Sequence, residues 1–255
     1  MQKFYSICVL LILHIGLLST SSCQNTPSAP PPTAKKMEPD TTKQLPPAFM
    51  DLLFADHRFE AIVGLSANQP KQPHSVWSQF EDAWNLVQAG KKDSAKKILK
   101  AMADDKDAES RVALWAWNAL REIGEPAPVP VVLGMVLEVP QAKGSDYLAV
   151  YADKRARYVN ALSGGAIWEK REATADRLIE GIISASQQYV FNHKLPVGRR
   201  TSPTQQVRFS FLTTAGVMPI EESFDKLDAN GSALRDIFTL STQMLAYLIE
   251  ASSKQ

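Results

Sequence analysis

From residue 49 onward, apolar residues recur at helical spacing. Phe49, Leu52, Leu53 and Phe54, followed by Phe59, Ile62 and Val63, predict one or two short helices. Residues 66–75, with Pro70 and Pro73, predict a loop. Over 76–89 the chain sets Val76, Phe80, Ala83, Trp84 and Val87 on one helical face, and Gly90 and Lys91 suit the end of that helix. A helix opened by Asp93 or Ser94 turns Ala95, Ile98, Leu99 and Met102 inward. Another over 107–123 carries Val112, Trp115, Ala116, Ala119, Leu120 and Ile123, and is ended by Gly124 and Pro126.

After Pro126, Pro128 and Pro130 the period changes. Residues 131–139 are rich in branched apolar side chains and predict a strand. Residues 147–152 and 155–159 alternate, with Asp153 and Lys154 as a turn between them. Ser163, Gly164 and Gly165 predict a second turn, and Ala166, Ile167 and Trp168 a fourth strand. Residues 172–191 are helical, with Ala175, Leu178, Ile179, Ile182, Ile183 and Val190 as the buried stripe. A loop over 194–205, a strand over 207–213 and a long helix over 232–251 complete the chain. Consecutive strands joined by short links form an antiparallel meander, with the helices that follow on one face. The expected fold is therefore α+β: an N-terminal helical region followed by an antiparallel β-meander packed with two long helices. Whether the two regions share one core is left open by the sequence.

The first 48 residues obey neither period. Met1 to Ser6 is a short polar lead holding Lys3, residues 7–18 are apolar apart from His14 and Gly16, and small residues lead to Cys23. This is the three-part pattern of a secretory signal. Twelve residues of helix cover about 18 Å against a hydrocarbon core of about 30 Å, too short for a comfortable permanent span. Thr20, Ser21, Ser22 and Cys23 resemble the lipobox of bacterial lipoproteins, although Leu is more usual at the place of Thr20. That resemblance implies diacylglyceryl transfer to the Cys23 thiol and cleavage before it. It also implies fatty acylation (palmitate or similar) of the new terminus. Gln24, which is not Asp, then favours sorting to the outer membrane over the inner one, with the periplasmic or surface face undecided. The alternative is ordinary cleavage near Ser21 or Ser22 and a soluble exported protein.

Cysteine usage agrees with lipidation. The chain has two cysteines, Cys8 and Cys23, and Cys8 lies in the removed segment. Lipidation spares an oxidising compartment a lone free thiol. Residues 24–47 contain seven prolines and little apolar content, which suits an extended spacer rather than a packed element. The division read from the sequence is thus 1–22 signal peptide, 23–48 lipid-anchored Pro-rich tether, 49–125 helical region and 126–255 α+β domain.

Composition narrows the partners. Of 255 residues, 45% are hydrophobic, enough for a core. Lys3 is the one charged residue before Cys23, so 27 of the 28 basic residues remain in the mature chain against 27 acidic ones. A neutral chain has no general pull toward nucleic acid or acidic lipid. The membrane is reached through the lipid on Cys23 and the expected partner is a protein.

Chemistry-bearing motifs are missing. No glycine-rich nucleotide loop, P-loop, HExxH metal pair or GxSxG serine elbow occurs, so no catalytic residue, metal or cofactor is assigned. His57, His74 and His193 are isolated and read as surface histidines. Ser163 reads as a turn serine. Asp228, Asn230 and Ser232 lack the closing acid of a calcium loop and read as a turn with Ser232 capping the next helix. Arg199, Arg200 and Arg208, with Lys194, are the candidate contacts for an anion or a partner. Asp153, Lys154, Arg155 and Arg157 read as a cross-strand salt-bridge surface. Gly90 and Gly124 stand 34 residues apart, and Gly90 followed by Ala95 resembles the middle of a tetratricopeptide repeat over about one unit. If that repeat holds, it implies a peptide-binding groove. The leading functional reading is a non-catalytic cell-envelope lipoprotein that binds or scaffolds a protein. The alternatives are an envelope hydrolase with its acids among Glu138, Asp146, Asp153 and Glu169, or a small ligand-sensing domain.

Overall fold

The computed structural model describes residues 47–253 except 67–71, 73–74, 143, 162–163, 202–203 and 230–231. The signal segment, Cys23, the tether to residue 46, His74, Ser163 and Asn230 lie outside the described residues.

Five helices come first: α1 (Pro47–Phe54), α2 (Phe59–Ser66), α3 (Val76–Gln88), α4 (Lys92–Asp104) and α5 (Ser110–Glu122). Pro47 opens α1, a place where its missing N–H costs nothing. Ser75 caps α3 by accepting the Ser78 N–H at 3.2 Å. Gly90 and Gly124 follow α3 and α5 with φ of 76° and 88°, the left-handed turn that ends a helix.

Four strands follow as a meander: β1 (Val132–Gln141), β2 (Gly144–Tyr151), β3 (Ala156–Val159) and β4 (Gly165–Trp168). Helix α6 (Ala173–Asn192) then carries the chain back across the sheet. It delivers β5 (Val207–Thr213) and β6 (Gly216–Glu222), then α7 (Phe224–Asp228) and α8 (Arg235–Ser253). All pairs are antiparallel and the order is β4-β3-β2-β1-β5-β6. The fold is α+β with an N-terminal helical region and a six-stranded antiparallel sheet, as the periodicity predicts.

Two elements escape the pattern reading: β6, which contains Pro219, and the short α7. Proline cannot donate to a ladder and is tolerated on an edge strand, which is where β6 lies.

The sheet is covered on both faces. On one, Val136, Ala149, Tyr151, Leu212 and Val217 join Leu53, Phe59, Phe80, Trp115 and Leu120 of the N-terminal helices in one apolar cluster. On the other, Met135, Leu137, Phe209 and Phe211 pack with Ile179 and Ile182 of α6 and Ile237, Met244 and Leu248 of α8. Close approach decides two glycines. Tyr151 lies across Gly134 of β1, where an added Cβ would sit 3.0 Å from the ring. Gly181 lets α6 meet Leu240 of α8, 3.1 Å from where a Cβ would stand.

The β2–β3 turn joins both layers. Asp153 accepts the Ser110 N–H at 2.7 Å and its own N–H donates to Ser110 Oγ at 3.0 Å, so it caps α5, which has no side-chain cap of its own. Lys154, the next residue, pairs with Glu180 of α6 at 2.6 Å. Arg155 pairs with Asp153 and Glu109, and Arg157 approaches Glu169 at 3.7 Å. Arg157 and Glu169 thus face each other across β3 and the end of β4 as expected, whereas Asp153, Lys154 and Arg155 instead tie the turn to the helices above and below it.

Candidate functional site

Among the described residues, four of the six exposed large apolar side chains come from the end of α6, the segment before β1 and the loop before β5. Phe191 is 79% exposed, Val129 75%, Val197 59% and Val131 48%. Local hydrogen bonds hold these residues around the start of β1 and the β5–β6 turn. Gln187 of α6 accepts the Val132 N–H at 2.7 Å and donates to the Pro130 carbonyl at 3.1 Å. Phe191 follows Gln187 by one helical turn. Thr214 in the β5–β6 turn donates its N–H to the Val131 carbonyl at 3.1 Å, and its Oγ1 accepts the Val131 N–H at 3.1 Å. Val197 stands against Gly216, 2.7 Å from where a Cβ would be. Phe191 also lines an open groove of about 720 Å³ between α6 and the β2–β3 turn, with Ile183, Gln187, Gln188 and the Lys154–Glu180 pair.

The three candidate arginines sit elsewhere, and all face carboxylates of the same chain. Arg208 is buried on β5 on the face toward the N-terminal helices. Its Nη1 donates to Glu138 at 2.8 Å, and its Nε and Nη2 reach Glu221 at 2.9 and 2.8 Å. Glu138 also accepts Ser145 Oγ–H at 3.0 Å and the Tyr147 hydroxyl at 3.2 Å. Tyr147, Glu138, Arg208 and Glu221 are direct cross-strand neighbours, so they form one polar row across β2, β1, β5 and β6. Burial alone would raise the Glu221 carboxyl. The hydrogen bond and charge of Arg208, with Arg200 at 3.5 Å, outweigh that and hold it below the usual range.

Arg199 fastens the loop before β5 to the first helix. Its Nη1 donates to Asp51 at 2.6 Å and Asp56 at 2.9 Å, and its guanidinium lies 4.2 Å from the Phe54 ring centre. Burial raises the Asp56 carboxyl despite that pairing. Next to it, His57 is half-buried with its ring edge-on to Trp115, 5.9 Å between centres, and burial lowers its pKa. It is therefore not the surface histidine expected. Its Nδ1 is buried without a hydrogen-bond partner among the described residues. His193 is exposed and stacks on Tyr189 at 4.0 Å.

No known protein family, curated protein or solved structure matches the chain.

The four carboxylates considered for hydrolysis do not converge. Glu138 belongs to the row described above. Asp146 neighbours it on β2 and so points to the opposite face, where it accepts the Ala161 N–H at 2.8 Å and the Tyr158 hydroxyl at 3.3 Å. Burial raises its pKa. Asp153 caps α5, and Glu169 is exposed beyond β4. Among the described residues no group of His, Cys, Asp and Glu could hold a metal ion, and no helix is long and apolar enough to cross a membrane. Ser232 Oγ accepts the Leu234 N–H at 3.3 Å just before α8, in keeping with a capping turn. The rim was not visible in the sequence, because Val129, Val131, Phe191 and Val197 come from three separate segments. The valines set between prolines at 128–131 were the one available signal.

Proposed function

We propose that this protein is a cell-envelope lipoprotein, held at the outer membrane through lipid on Cys23, whose folded body binds a partner protein without catalysis. The observation that supports this reading is the apolar rim of Val129, Val131, Phe191 and Val197. An exposed apolar patch beside a groove suits association with another protein. The neutral charge of the mature chain argues against nucleic acid or anionic lipid as the ligand. Two or three acyl chains anchor durably where one binds marginally, so the lipid supplies the membrane affinity and the rim supplies the recognition.

The test is chemical cross-linking and purification of the full chain from membranes. A stoichiometric protein partner is expected with the wild type and is lost on Phe191→Asp, while the melting temperature is unchanged because Phe191 is exposed. Equal recovery of that partner with Phe191→Asp overturns the rim as the contact. Retention of lipid mass and membrane partitioning by Cys23→Ala overturns the anchor.

A further inference from the structure

Arg121, in the last turn of α5, differs from Arg111, Arg157, Arg199 and Arg208, which are also held in from solvent. Each of those four lies within 3.7 Å of a carboxylate oxygen. Arg121 faces neutral acceptors instead. Its Nη1 donates to the Thr214 carbonyl at 2.7 Å and its Nη2 to Asn118 Oδ1. Among the described residues no carboxylate pairs with it. The carboxylate whose charge reaches it belongs to Glu122, which accepts the Phe59 N–H at 3.1 Å. Burial outweighs that charge and lowers the pKa of the guanidinium. A guanidinium carries five N–H donors. Those that Arg121 does not spend on Thr214 and Asn118 have no acceptor among the described residues.

The same guanidinium belongs to the apolar rim. Thr214, which holds it, also donates its N–H to the Val131 carbonyl and its hydroxyl to the Val129 carbonyl at 3.3 Å. Gly216, two residues on, puts no side chain between Arg121 and Val197. The place a Cβ would take there is 3.7 Å from Arg121 Nη2 and 2.7 Å from Val197 Cγ1. Val129, Val131 and Val197 therefore gather around one turn, with an unpaired positive charge beside them. The dipole of α5 relieves that charge only in part. A tie between α5 and the β5–β6 turn needs a donor but no charge. A charge drawn in among valines without a counter-ion is costly until an anion meets it.

We propose that the rim around Arg121 takes a segment of a partner protein in which one Asp or Glu side chain stands between apolar residues. The carboxylate accepts the free N–H groups of Arg121, and its apolar neighbours cover Val129, Val131 and Val197. The unpaired cation chooses the acidic side chain, and the valines choose what flanks it. This rests on the rim as the contact surface and names what that surface reads.

The probes are soluble peptides, acetyl-Ser-Ser-Leu-X-Leu-Ser-Ser-amide with X as Glu, Asp, Gln or Asn, and acetyl-Ser-Ser-Ser-Glu-Ser-Ser-Ser-amide. Each is titrated into the full chain while the Val131 amide and Arg121 Nε–H signals are followed by NMR. Saturable shifts are expected with the Glu or Asp peptide. The Gln and Asn peptides are expected to bind at least tenfold more weakly, and the leucine-free peptide not at all. These comparisons use the unaltered protein. Arg121→Met is expected to bring the Glu peptide down to the level of the Gln peptide. Equal binding of the Glu and Gln peptides overturns the carboxylate contact and leaves the rim standing. Equal binding of the leucine-free peptide also overturns the proposal, since the site then takes any anion. So does the absence of a saturable shift with every peptide at 1 mM (roughly the weakest affinity worth assigning). A dimer of the full chain that Arg121→Met dissolves overturns it too, and assigns the rim to a second copy. Failure of the rim itself reads differently: the membrane partner is then recovered equally with Phe191→Asp.

Discussion

Arg208 and Phe209 are adjacent on β5 and look into opposite layers of the molecule. Phe209 enters a layer where α6 and α8 pack on the sheet mainly by aliphatic and aromatic contact, with polar ties from α6 only at its rim, Gln187 to the start of β1 and Glu180 to Lys154. Arg208 enters the layer under the N-terminal helices, where a buried polar row crosses four strands. A further hydrogen bond reaches from that face to α1, Tyr151 OH to the Leu53 carbonyl at 2.7 Å, and within the helical layer Asn118 Nδ2 of α5 donates to the Ala55 carbonyl just after α1 at 2.9 Å. Apolar burial is non-directional and tolerates sliding, whereas hydrogen bonds fix one geometry. Both layers bury apolar area, but the one under the N-terminal helices alone adds a buried polar row across the sheet.

That contrast is broken most sharply at the two neighbours. Phe209→Ala is expected to cost about 3–5 kcal/mol, as large core truncations do. Arg208→Met is expected to cost a similar amount, about 3–5 kcal/mol, because it strips Glu138 of its charge partner inside the protein. The two losses differ in how they are repaired. Adding Glu138→Gln to Arg208→Met should recover stability, since the stranded charge is gone. The same Glu138→Gln added to Phe209→Ala should only add its own cost. Urea denaturation of the singles and doubles measures this, and equal coupling in the two pairs would end the distinction between the layers.

Tyr151 tests position at a single bond. Burial pushes its hydroxyl up to about 12, so it stays a donor at any ordinary pH. Tyr151→Phe keeps the ring over Gly134 and leaves the Leu53 carbonyl without its partner. The expected cost is about 1–3 kcal/mol. Hydrogen exchange should show faster opening in α1 than in α6. Uniform acceleration across both layers would mean that the bond does not act locally.

The sequence carried the elements better than the layers. Periods of 3.6 and 2 located every long helix and five of the six strands, because those patterns come from residues a few positions apart. Pro219 hid β6, since proline within an apolar run usually argues against a strand. The alternation of Val207, Arg208, Phe209, Ser210 and Phe211 has the form of a half-solvated strand. The polar side is buried here because helices encoded earlier in the chain cover it. The intrachain partners of the candidate arginines were hidden for the same reason. The partners of Arg199 and Arg208 lie 148 and 70 residues away, at Asp51 and Glu138, where no local spacing points to them. Cys23, read from contiguous residues, depends on no such distant partner.

The smallest expected effect is the pH dependence that His57 contributes on the polar side. His57 sits against Trp115, and burial lowers its pKa from the ordinary 6.5. The unfolded chain therefore binds a proton at His57 before the folded one does. Stability linked to this group is complete above pH 6.5 and is lost as the pH falls through the lower folded value. Asp56 acts with the opposite sign. Its raised pKa means that the folded chain takes up the proton first, which favours folding as the pH falls toward the ordinary 3.8. The two contributions oppose each other, so substituting His57 is what isolates its share. His57→Phe keeps a ring edge-on to Trp115 and removes the titration. The urea midpoint of the wild type should fall between pH 7.5 and 5.5, a range chosen to straddle the ordinary histidine value of 6.5, and the variant should fall less. Equal slopes for the two proteins would place the proton uptake at some other group.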